Sequence, residues 1–180
     1  YMDESWLDRF GAYVKCNPAL RSKELVDKMW KYAENGTIDV ISSDHAPYTV
    51  AEKEKCPEDI FVAPAGFPGV ETRMPFIMKA VKDGRLSIQR AVALLSSNPA
   101  KIFGLKDKGR IAVGYDADMV LLNPYEEFTF CATQMHTQAK GICHFLDGFK
   151  AAGKAKIVIL RGKIIYQDGI VLAEPGYGQW

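Results

Sequence analysis

The chain has 180 residues, 48% of them hydrophobic and 25% charged, which are the proportions of an ordinary folded protein with one good core or two small ones and exclude a disordered segment. Its formal net charge of +1, with basic residues scattered among acidic ones, gives no reason to expect nucleic acid or an acidic membrane surface as a partner. No apolar run approaches the roughly 20 residues needed to cross a bilayer, and the opening "YMDESW" lacks the basic and apolar regions of a signal peptide, so a cytoplasmic protein is expected.

In chain order, "AYVKCNPALRS" reads as a short strand broken at Asn17 and Pro18. Ser22 can cap a helix over "KELVDKMWKYAENG", whose Leu25, Val26, Met29, Trp30 and Ala33 share one face and whose stop is Asn35-Gly36. A strand, "IDVIS", follows almost at once, and this order is that of a βα unit in a parallel sheet. The strand runs into Ser-Ser-Asp-His-Ala-Pro, which places ionisable groups at the end of a buried element. An Asp there can simply close a turn or cap the next helix.

The passage "YTVAEKEKCPEDIFVAPAGFPG" is polar, rich in Pro and Gly and longer than most connections, as functional loops often are. Two helices are legible after it: "VETRMPFIMKAVKDG", with a bend predicted near Pro75, and "SIQRAVALLSS", followed by an Asn98 cap and Pro99. From Lys108 onward the texture is all β. "KGRIAVGYDADMVLLNP" predicts strand, turn and strand, and "KIVILRGKIIYQDGIVL" predicts three strands joined at Arg-Gly and Asp-Gly turns. The predicted division is therefore an α/β part, residues 1–106, and a β part, residues 107–180.

Cys16, Cys56, Cys131 and Cys143 form no C-x-x-C pair and read as free thiols. Cys131, His136, Cys143 and His144 lie close in sequence, but their spacing matches no common zinc pattern, so packing or surface roles are expected.

Four pieces in order, "KCNPALRS", "SSDHAPYTVAEK", "APAGFPGVETRMP" and "NPAKIFGLKDKGRIAVGYDADMVLLNP", resemble the C-terminal portion of the cyclic amidohydrolases, and among them the dihydroorotases most closely. The resemblance implies an α/β fold: the last units of a metal-dependent hydrolase TIM (β/α)8 barrel, then part of a β-sandwich whose other strands lie outside these residues. Two βα units cannot close such a barrel, so the chain reads as the end of something larger that needs the N-terminal half of the same protein. Exposed sheet edges and an apolar face imply self-association, and a homo-oligomer is expected.

The resemblance also assigns roles. Asp44 becomes a ligand of a two-zinc centre and the carrier of the catalytic proton, whereas His45 reads as a supporting or packing residue. Asn17 contacts the substrate ring with an amide that can donate and accept together. The backbone at Ala65 and Gly66 closes over the ligand, and Arg21 can hold a substrate carboxylate. Tyr48 stands where dihydroorotases usually carry a second His; it can donate a hydrogen bond but brings no positive charge. The implied activity is interconversion of N-carbamoyl-L-aspartate and dihydroorotate in pyrimidine synthesis. Allantoinase, hydantoinase or dihydropyrimidinase activity, and a non-catalytic scaffold or partner subunit, remain as alternatives.

Overall fold

The computed structural model describes residues 1–56 and 58–179. Helix α1 (Ser5–Phe10) leads into a single 3-10 turn, Gly11–Val14, where the sequence predicts a strand. The second predicted strand, 38–42, is extended but carries no ladder; the nearest β contact is an isolated parallel bridge between His45 and Phe67. Both differences have one cause. A parallel strand needs partners brought from far away in sequence, and the described residues offer none beside these two segments. What holds 38–42 in place is other backbone and side chains: Ile38 N–H donates to Tyr32 O at 3.1 Å, Ile41 N–H donates to Leu94 O at 3.3 Å, and Arg90 donates to Ile38 O.

Helix α2 (Lys23–Asn35) forms where predicted, with Ser22 Oγ accepting from Leu25 N–H and Gly36 at φ 91° ending it in the left-handed region. Its apolar stripe is only partly covered. Ala33 is buried, but Leu25, Met29 and Tyr32 are exposed. These side chains, with Leu20, Ile38 and Val40, line an open hollow of about 820 Å³.

A one-turn helix, α3 (Val50–Lys53), interrupts the passage expected to lack structure. Thr49 and Glu52 close a reciprocal capping box around it. Helix α4 (Val70–Lys82) carries Pro75 within its second turn and buries Ile77, Met78, Ala80 and Val81. Burial of Ile77 and Met78 stabilises the fold by about 2 kcal/mol each.

Helix α5 (Ile88–Val92) passes through a π turn, Ala93–Ser97, into α6 (Asn98–Ile102) as one continuous helical stretch. Asn98 therefore does not cap: its backbone is helical and its side-chain amide donates to Asp39 O at 2.9 Å. The turn widens just before Pro99, whose ring in a regular α turn meets the carbonyl four residues back.

Strands β1 (Met119–Leu122), β4 (Ala155–Leu160), β5 (Lys163–Gln167) and β6 (Ile170–Val171) make an antiparallel sheet in the order β1-β4-β5-β6. The two-residue turns Arg161-Gly162 and Asp168-Gly169 have positive φ throughout, as predicted for tight hairpins. The strand expected over 110–113 is absent, and Ile111 and Val113 are fully exposed. No neighbouring strand among the described residues reaches them, and an unpaired strand gains nothing for the backbone entropy it loses.

Between β1 and β4 the chain returns to the helical part. Strands β2 (Glu127–Thr129) and β3 (Lys150–Ala152) pair with each other, and the 130–151 segment forms a core with Val14. A second core joins α4 and α5 to Ala33 and Ala152. Among the described residues no helix is long and apolar enough to cross a membrane.

Candidate active site

Three segments meet at the end of the extended stretch 38–43. In the first, Val14 is fully buried and anchors Lys15, Cys16 and Asn17. The Asn17–Pro18 peptide is cis, and the Asn17 side chain is exposed. The second is 43–48, in which Asp44 takes φ 43°, a conformation that Asp tolerates better than most residues. The third is 63–70. Gly66 N–H donates to Lys15 O at 2.8 Å, and Ala46 N–H donates to Phe67 O at 3.2 Å, so the third segment is bonded to both others.

Two glycines make this approach possible. At Gly66, φ is 118°, and a Cβ would sit 2.5 Å from that of Ala46. At Gly69, a Cβ would collide with the Ser43 carbonyl oxygen. The sequence "AGFPG" therefore reflects backbone laid directly on backbone.

The side chains divide into structural and free groups. His45 Nδ1 accepts from Gly69 N–H at 3.1 Å and Val70 N–H at 3.3 Å. It caps α4 from outside that helix, and the bonds place the proton of the neutral ring on Nε2. Thr49 caps α3. Asp44 does neither. Its carboxylate is exposed and, among the described residues, takes no hydrogen bond and no ion pair. It lies close to Cys16, whose thiol is pushed up first by burial and then by the Asp44 charge.

Tyr48 is half-buried against the first core, with its ring 5.5 Å from the Lys53 ammonium. Gly66 lies against that ring. Ala65 is half-buried beside it in the same loop. Asp44, Asn17, Tyr48, Ala65 and Gly66 are thus brought into one neighbourhood. Arg21 is not: it is exposed at the start of α2 and lines the apolar hollow, and its backbone carbonyl accepts from Glu4 N–H at 2.9 Å.

Two lysines were not singled out by sequence reasoning. Lys53 is fully buried, and Lys15 sends its amine to the carbonyls of Phe61 and Ala63. The T-x-x-E box that fixes α3 was a readable signal for the first; nothing in the sequence marks the Lys53 amine as buried or the Lys15 amine as bonded to loop carbonyls.

Among the described residues no group of three or more His, Cys, Asp or Glu side chains could hold a metal ion. The residues present do not make a metal centre; Asp44 can supply one ligand and no more. Cys131, His136, Cys143 and His144 also do not assemble one. Cys143 is buried, with its thiol pushed up by burial to about 11, and His144 stacks edge-on against Tyr13 at 4.4 Å.

The outcome is an exposed carboxylate walled by glycine-rich backbone. The family model described as "Amidohydrolase family" matches residues 13–165. The chain is 35% identical to an L-hydantoinase of Paenarthrobacter aurescens over 96% of its own length and 38% of that protein. It is 37% identical to a dihydroorotase of Methanosarcina mazei over 96% of its length and 37% of that protein. A solved D-hydantoinase structure superposes with a TM-score of 0.91 at 35% identity, covering 99% of this chain and 40% of that one. The chain belongs to the amidohydrolase family, and dihydroorotases and hydantoinases are both among the proteins it is similar to. It spans about two-fifths of the length of these relatives.

Proposed function

We propose that the protein, at the length of its relatives, opens and closes a cyclic amide ring, with dihydroorotate and N-carbamoyl-L-aspartate as the pair, and that Asp44 carries the proton. Water adds to the ring carbonyl carbon, the C–N bond breaks, and the proton taken from the attacking water reaches the departing nitrogen through the Asp44 carboxylate. Zinc, when bound, supplies a water that ionises near neutral pH. Asp44 would be the one ligand that these residues offer to such a metal. Asn17 reads the ring amides, the Ala65-Gly66 backbone closes one side of the ring, and Tyr48 donates to its polar edge; Arg21, which lines the apolar hollow instead, has no part in this scheme.

The observation that carries this reading is the release of Asp44 from structural duty. The helix starts it could have capped are held by His45 and Thr49, and its charge is left uncompensated beside Cys16. In the protein at the length of its relatives, Asp44→Ala should lower turnover by about 10²–10⁴-fold with the fold intact. Activity within about threefold of the parent refutes the role, whereas a parent without turnover favours a non-catalytic scaffold.

A second reading, ring opening of an uncharged hydantoin or dihydropyrimidine, is favoured by Tyr48. It is neutral, and the nearby Lys15 and Lys53 amines are already bonded to loop carbonyls. Comparing kcat/KM for dihydroorotate and for hydantoin separates the two; a preference of more than about tenfold for hydantoin replaces the first reading with the second.

A further inference from the structure

Lys53 is a fully buried lysine on a helix of four residues, and a charge is not placed there without reason. Its amine donates to Ala12 O at 3.0 Å and to Pro64 O at 2.9 Å. These acceptors belong to the two segments that flank the candidate site: Ala12 precedes Asn17, and Pro64 precedes Ala65 and Gly66. The remaining face of the amine looks onto the Tyr48 ring at 5.5 Å. A lysine head has three donors and no acceptor, so it suits two backbone carbonyls and an aromatic face at once.

The loop needs this help. Residues 58–66 contain no helix or strand, so their inward carbonyls have no ladder to accept from. Lys15 donates to Phe61 O and Ala63 O, Lys53 donates to Pro64 O, and Gly66 N–H returns a bond to Lys15 O. Two amines from different elements thus fasten successive carbonyls of one loop. Lys53 differs from Lys15 in reaching both walls simultaneously, and its own position is set by the Thr49–Glu52 capping box.

We propose that Lys53 is a positioning residue, whose bonds to Ala12 and Pro64 set the spacing between the Asn17 segment and the Ala65-Gly66 loop and thereby the width of the slot for the substrate ring. The proposal rests on the reading of those two segments as the substrate-binding walls. Lys53 touches no reacting atom in this scheme. Losing it loosens the slot and so weakens ring binding more than it slows the step at the carbonyl.

The test uses the protein at the length of its relatives and compares Lys53→Met, which keeps the apolar stem and deletes the donors, with Lys15→Met, which frees the same loop from its other side. For the ring substrate that the parent turns over, Lys53→Met should raise KM by about tenfold while kcat stays within about threefold. Hydrogen exchange should quicken in 12–17 and 58–66 while α4 remains protected. Lys53→Arg, which retains donors, should recover part of the KM. An unchanged KM, or a fall in kcat alone, overturns the proposal. Should Lys53→Met fail to fold, Lys53→Arg and Lys15→Met decide: the first must alter KM without altering kcat, and the second must raise KM. If the parent turns over neither dihydroorotate nor hydantoin, the functional reading fails separately, and loop exchange alone judges Lys53: protection lost only in the two walls supports it, and none lost refutes it.

Discussion

The sheet formed by β4, β5 and β6 and the extended segment 38–42 are both rich in β-branched residues, yet only the first makes a ladder. The sheet closes through two-residue turns, so every strand finds its partner within a few positions and little loop entropy opposes pairing. Segment 38–42 finds no strand to pair with among the described residues. It is held instead by Leu94 O, Arg90 and Asn98, which belong to the α5–α6 stretch. Local β structure is thus autonomous, whereas the segment that delivers Asp44 depends on the helices behind it and the glycine loop in front.

That contrast can be broken most sharply at Gly69. A Cβ there collides with the Ser43 carbonyl, a rigid backbone atom next to Asp44, and nothing flexible can yield. Gly69→Ala should cost about 3 kcal/mol in chemical denaturation and displace the Asp44 segment from α4. A cost below about 1 kcal/mol would show that the two backbones are free to part.

The contrast can be sharpened next by pH. Burial, and then the Lys15 charge, lower the Lys53 amine to about 8 from its ordinary 10.5, with the Cys16 thiol also facing it. Between those values the unfolded chain keeps a proton that the folded chain has lost, so Lys53 makes stability rise as pH climbs from about 8 towards 10.5. Lys53→Met removes that contribution. The difference between parent and variant melting curves should therefore shift across this window in the parent's favour as pH rises, and a flat difference would contradict the lowered value.

The smallest effect belongs to the autonomous side. Gly162 has φ 79° with open space where a Cβ would go, so Gly162→Ala meets only backbone strain. It should cost about 1 kcal/mol, leave the order β1-β4-β5-β6 unchanged and spare the Asp44 segment. Spectral change around Tyr48 or His45 would show that the two regions are coupled after all.

Sequence determined what is local in this protein. Ser22 and Gly36 bracket α2, Arg-Gly and Asp-Gly set the hairpins, and the order of the four motifs carries the family, because each rests on residues adjacent in the chain. The candidate site was legible only as a roster of residues. That Asp44 stands free follows from His45 having been drawn 24 residues along the chain to cap α4, and that Lys53 is buried follows from carbonyls of Ala12 and Pro64 converging on it. The strands expected over 12–16, 38–42 and 110–113 misled because propensity describes a residue's fit to a ladder and not the presence of a partner. Tertiary structure alone decided these points, since hydrogen-bond partners distant in sequence leave no periodic trace in it.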